Sequence, residues 1–126
     1  MQPDKAALEE LVAVYSGAWS EPDGARRQGL LDRAWAEDGT YTDPTASVVG
    51  RTALVEHIGR FLQQYPGAQV VPTSAVDAHH GRLRFTWRVV LADGKVFAEG
   101  VDFGALSPDG KLASIVGFFG PLAPGP

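Results

Sequence analysis

The feature that most constrains this chain is a change of period at Gly67. Before it, apolar residues recur at steps of three and four; after it, they alternate with polar ones. In "DKAALEELVAVYSGAW" the stripe is Leu8, Leu11, Val12, Tyr15 and Trp19, with Asp4 placed to cap the helix. "EPDG" breaks it, and "ARRQGLLDRAW" predicts a second short helix with Leu30, Leu31, Ala34 and Trp35 turned inward. "TYTD" reads as a short strand and "PTASVVG" as a turn or small hairpin. "RTALVEHIGRFLQQY" predicts a third helix with Leu54, Ile58, Phe61, Leu62 and Tyr65 on one face, ended by "PG".

Beyond Gly67 the segments "AQVVPTSAVDA", "RLRFTWRVVLA", "KVFAEGVDFGAL" and "KLASIVGFF" predict four strands. The turns between them, "HG", "DG" and "SPDG", are hairpin signals. Helices first and an antiparallel meander afterwards mean an α+β fold, with helices on one face of a curved sheet. A half-open β-barrel with accessory helices is the alternative. The 126 residues suit a single domain over 1–126, with "PLAPGP" (121–126) expected as a frayed tail.

Composition removes several function classes. The net charge of −4 carries no block of like charge, which argues against nucleic acid or an anionic membrane as partner. There is no cysteine, so disulfides, thiol catalysis and Cys-ligated metal are excluded. No apolar run approaches the roughly 20 residues of a membrane span. "MQPDKAALEE" lacks the pattern of a signal peptide, which makes the cytoplasm the expected location. The three histidines have no ligand-like spacing, so no metal is expected. His79 and His80 fall at a predicted turn.

The turns allow the sheet faces to be assigned. If Asp93-Gly94 is a two-residue loop, Arg88 falls opposite Glu99, Trp87 opposite Gly100 and Phe85 opposite Asp102. Alternation then puts Phe85, Trp87, Val89, Ala98, Gly100, Asp102 and Gly104 on one face. Arg84, Thr86, Arg88, Phe97, Glu99, Val101 and Phe103 share the other, which holds the ion pair and is the wetter. The first face sets large aromatics beside very small residues, with one carboxylate among them; room plus a buried acid is what a ligand pocket needs. Ile115, Gly117 and Phe119 continue that wall. The same argument at "HG" pairs Asp77 with Arg84 and directs Ser74 and Val76 to the pocket side. In "GTYTDPTAS", Asp43 either caps a turn before proline or goes inward with Tyr41.

The order of elements and the segments "VAVYSGAW", "DGTYTDP", "GRTALVEHIGRF", "EGVDF" and "DGKLASIVGFF" carry a resemblance. The chain resembles the ketosteroid isomerase and SnoaL-like polyketide cyclase branch of the nuclear transport factor 2-like superfamily, over about residues 5 to 120. The resemblance implies a cone of curved antiparallel sheet, with three N-terminal helices enclosing a pocket. Carried over residue by residue, it implies Asp43 as general base, with Tyr15 and a protonated Asp102 as the oxyanion hole. His57, at the edge of the third helix's apolar face, is the alternative base or proton relay.

The expectation is a small-molecule protein, in its enzymatic form a cofactor-independent isomerase or cyclase acting α to a carbonyl of a hydrophobic substrate. Trp19, Tyr41, Phe61, Phe85, Trp87, Ile115 and Phe119 are the expected lining. A non-catalytic ligand-binding or dimerisation module of the same fold is the alternative. Phe97, Val101 and Phe103 on the outer face predict a homodimer.

Overall fold

Asp4 caps the first helix as its position suggested: its Oδ1 accepts the N–H of Ala7 at 2.8 Å. The computed structural model describes residues 3–126, so the first two residues of the expected domain lie outside the described residues. Helix α1 (Lys5–Ala18) buries Leu8, Val12 and Tyr15, and α2 (Gly24–Ala34) buries Leu31 and Ala34. Between them the chain is fastened by Arg27. It is 6% exposed and donates to the carbonyls of Glu21, Pro22 and Val55, so one buried guanidinium ties the α1–α2 link to α3 (Arg51–Gln64).

The sheet is built from β1 (Trp35–Asp43), β2 (Ala46–Val49), β3 (Gln69–Pro72), β4 (Asp77–His79), β5 (Arg82–Val90), β6 (Val96–Leu106) and β7 (Leu112–Phe119). Its order is β2-β1-β7-β6-β5-β3, with β4 also on β5. The expected α+β fold is present: three helices on a curved, mostly antiparallel sheet. Together they form the cone of the nuclear transport factor 2-like fold. One pair departs from the meander, because β1 runs parallel to β7 and sets Tyr41 beside Ile115. No helix among the described residues is long and apolar enough to cross a membrane.

The register derived from the turns holds through the middle of the sheet: Arg88 faces Glu99, Trp87 faces Gly100, Phe85 faces Asp102 and Asp77 faces Arg84. Three local expectations do not hold. First, Trp35 begins β1 instead of ending α2; it is fully buried, and the chain at Gly39 passes so close to its indole that a Cβ there would lie 2.5 Å from Nε1. Second, the segment after Gly67 is two strands, not one. The ladder runs past Pro72 to Thr73, whose N–H bonds the Thr86 carbonyl at 2.8 Å, and ends where Ser74 leaves the pocket side to accept the Thr86 N–H with its hydroxyl. Val76 does go inward, into the core.

Third, the "DG" loop has three residues. The Leu91 N–H bonds the Lys95 carbonyl, and Gly94 takes a φ of 87°. The register this loop sets, Val90 opposite Val96, differs by one from that of Val89 opposite Ala98, so Phe97 is the extra residue of a bulge. The bulge restores the inferred register and removes Phe97 from the outer face. It stacks instead on Tyr65, with ring centroids 4.7 Å apart.

Candidate active site

Tyr15 is set from below. Its ring stacks on Trp35 at 5.5 Å, nearly parallel, and its hydroxyl end reaches a cavity of about 550 Å³ between the helices and the sheet. That volume suits a drug-sized molecule. Asp43, Asp102 and His57 line the same cavity, as do Trp19, Tyr41, Phe61, Phe85, Trp87 and Phe119. Ile115 does not: it is fully buried beneath the floor, with its Cδ1 close to Gly104.

The room is not where the small residues suggested. A Cβ at Gly100 would lie 2.5 Å from the Trp87 ring, and one at Gly104 would lie 2.9 Å from Ile115 Cδ1. The large side chains lie across the glycines and close those gaps. The cavity lies instead between the concave sheet and the inner faces of α1 and α3. The glycine that does serve the site is Gly117, where a Cβ would lie 2.8 Å from Asp102 Oδ1 and 3.6 Å from Asp43 Cβ. Without a side chain, β7 lets two carboxylates from its neighbouring strands stand on either side of it.

The two acids have different surroundings. Asp102 is 6% exposed; its Oδ1 accepts the Trp87 indole N–H at 2.9 Å, and Oδ2 is left toward the cavity. Burial raises its pKa to about 7, with the Asp43 charge adding to the rise and the Trp87 bond opposing it. Asp43 is half-buried. Burial pushes it up, but the hydrogen bonds of Tyr41, Thr45 and Ala46 together outweigh burial and hold it below the ordinary carboxylate value. Oδ2 accepts the Tyr41 hydroxyl at 2.5 Å, and Oδ1 accepts both the N–H and the hydroxyl of Thr45 at 2.7 Å. The turn cap and the inward carboxylate are therefore one residue doing both.

Tyr15 is pushed well above the ordinary phenol value, first by burial and then by the Asp102 charge, so it is a donor at any physiological pH. His57 is half-buried, 5.9 Å from the rings of both Trp19 and Tyr41, and burial lowers its pKa more than Asp43 raises it. A neutral imidazole can take a proton.

Arg60, Gln64, Tyr65, Phe97 and Ser16 also line the cavity and were not foreseen. Arg60 and Gln64 follow Phe61's own stripe at helical spacing from His57, so extending that stripe to polar residues finds them. Phe97 was hidden by the bulge. Among the described residues, no group of three or more His, Asp or Glu is placed to hold a metal ion.

The profile of the SnoaL-like domain matches residues 9–115. The chain belongs to the SnoaL-like family. It is similar to the crystal structure of an isomerase candidate of that family from Agrobacterium tumefaciens, with 32% identity and a TM-score of 0.86 over 92% of this chain and 99% of that one. A polyketide cyclase candidate from Sinorhizobium meliloti shares the fold, with a TM-score of 0.69 at 16% identity over 91% and 99% of the two chains. So does a nuclear transport factor 2-like protein of unknown function from Cytophaga hutchinsonii, with a TM-score of 0.67 at 14% identity over 96% of each. No match was found among curated proteins. As in other families on this scaffold, the fold does not name the reaction.

Proposed function

We propose that this SnoaL-like protein is a cofactor-independent enzyme that moves a proton α to a carbonyl of a small, mostly apolar substrate, in an isomerisation, cyclisation or dehydration. One observation carries the reading. Asp43, Asp102 and Tyr15 line one cavity, and their surroundings push the two carboxyls apart, Asp43 down and Asp102 up to about 7. Asp43 accepts the proton on the lone pair of Oδ2 that Tyr41 leaves free. The C–H electron pair moves into the carbonyl, whose oxygen becomes an enolate oxygen. Tyr15 and neutral Asp102 donate to that oxygen, an arrangement described for ketosteroid isomerase. Asp43 then returns the proton, with His57 as relay where the two carbons are far apart. The aromatic rings of Trp19, Tyr41, Phe61, Phe85, Trp87 and Phe119 hold the apolar body and keep water out.

The test needs no native substrate. In D₂O with a cyclic ketone, the wild type is expected to exchange the α-hydrogens, and Asp43→Asn to be slower by about 10²-fold or more. 2-Naphthol, whose oxygen mimics the enolate, is expected to bind more weakly to Tyr15→Phe and Asp102→Ala. Binding indifferent to both changes overturns the oxyanion site. A specific observation favours a second reading, non-catalytic ligand carriage: both oxygens of Asp43 already serve the fold. Tight naphthol binding with no exchange would select it.

The same proposal includes a homodimer. Phe103 and Phe118 meet edge to face at 6.0 Å on the outer sheet face, both exposed, with Val101 and Val116 beside them. A paired face is expected to bury about 1,000 Å² or more. Light scattering should give a dimer, and Phe103→Lys a monomer.

A further inference from the structure

Ser16 follows Tyr15 on α1 and is 3% exposed. The residue lines the cavity, yet its hydroxyl oxygen is sealed from solvent and has no hydrogen-bond partner. A buried hydroxyl without a partner is disfavoured by its lost hydration, and a serine in a helix ordinarily relieves this by bonding the carbonyl one turn back. Here it does not. One residue further along the helix is about 100° further round it, so the two side chains address different parts of the cavity. Tyr15 turns to the β1 side, where it stacks on Trp35. The far end of α1 meets β3, where Ser20 Oγ accepts the Val70 N–H at 2.9 Å. Val70, Val89 and Ala98, cross-strand neighbours on β3, β5 and β6, give the cavity an apolar wall.

We propose that Ser16 is a second polar anchor, and that the ligand carries a second hydrogen-bonding oxygen, a hydroxyl or a carbonyl, remote from the oxygen held by Tyr15 and Asp102. This rests on the proposed function and narrows its substrate class to doubly oxygenated, otherwise apolar compounds. The unpartnered hydroxyl reaches the ligand by rotation about its single side-chain torsion, which has three staggered wells. A singly oxygenated substrate leaves it unpaired; a doubly oxygenated one completes it.

The experiment compares 2-naphthol with its 1,6-, 2,6- and 2,7-dihydroxy relatives by quenching of tryptophan fluorescence. In the wild type one dihydroxy isomer is expected to bind about five- to tenfold tighter than 2-naphthol, the worth of one neutral hydrogen bond. In Ser16→Ala that ratio is expected to fall to about one. A preference that persists in Ser16→Ala, or no preference for any isomer in the wild type, overturns the proposal. A thermal melt of the free protein is the second measurement. Ser16→Ala is expected to hold or raise the midpoint; a drop of several degrees would reveal a partner within the fold and also overturn it. Tyr15→Phe and Asp102→Ala test the proposed function separately, because they weaken 2-naphthol itself. No binding of any naphthol to the wild type overturns both.

Discussion

Trp87 on β5 donates its indole N–H to Oδ1 of Asp102 on β6, 2.9 Å away. Two glycines seat this bond: the ring lies over the site a side chain at Gly100 would fill, and the carboxyl over the one at Gly117. The bond fixes one oxygen of Asp102 and leaves the other for the cavity. It also sets up the first expected outcomes.

Stability should fall as pH rises through the window set by Asp102. Its folded pKa is raised from 3.8 to about 7, so between those values the folded state keeps a proton that the unfolded state has lost. The contribution is fully present below the lower value and gone above the higher, about 4 kcal/mol at most. Asp43 acts with the opposite sign and in a different window, losing its contribution as pH falls below the ordinary carboxylate value. Urea midpoints at pH 4.5 and pH 8 should differ for the wild type. In Asp102→Asn the decline should vanish.

Gly117→Ala should disable the site with little harm elsewhere. The added methyl would meet the end of the Asp102 side chain, not backbone, so the carboxyl is displaced and the Trp87 bond breaks. A cost of about 1–3 kcal/mol is expected, with a change in tryptophan emission and lost naphthol binding. Unchanged emission and binding would show that the carboxyl has another place to go.

Gly100→Ala should be worse. Its methyl would lie 2.2 Å from the Phe118 carbonyl oxygen as well as against Trp87, and backbone cannot rotate away. The β6–β7 pairing itself must open, so a loss of about 3 kcal/mol or more is expected in chemical denaturation.

Tyr41→Phe should raise the pKa of Asp43, because it removes the O–H that bonds Oδ2 at 2.5 Å. Carboxyl NMR titration reads this directly. If Asp43 is the base, the acid limb of the exchange rate against pH moves up with it.

Much of this was legible in the sequence because it rests on periodicity. The helix stripes, the turn at His80-Gly81 with both residues at positive φ, and the register that sets Phe85 against Asp102 all follow from local rules. What was not legible depends on more than one segment at once. The bulge that turns Phe97 to the cavity arises because a three-residue loop must meet a register fixed further along the strands. Gly100 and Gly104 looked like empty space because alternation says which way a side chain leaves its strand, not which neighbour lies down over the gap. The bond from Tyr41 to Asp43 joins two residues that alternation had already placed on one face, and only the rotamers complete it.

The parallel pairing of β1 with β7 has a consequence for how the protein is made. Asp43 and Asp102 become neighbours only through a strand that ends at Phe119, near the end of the described chain. A nascent chain that has already made its three helices and first six strands still has no floor between the two acids. Such distant pairing is slow to form and comes late. The site is therefore absent from any chain in which β7 is missing or not yet docked, and ligand binding doubles as a readout that this strand has taken its place.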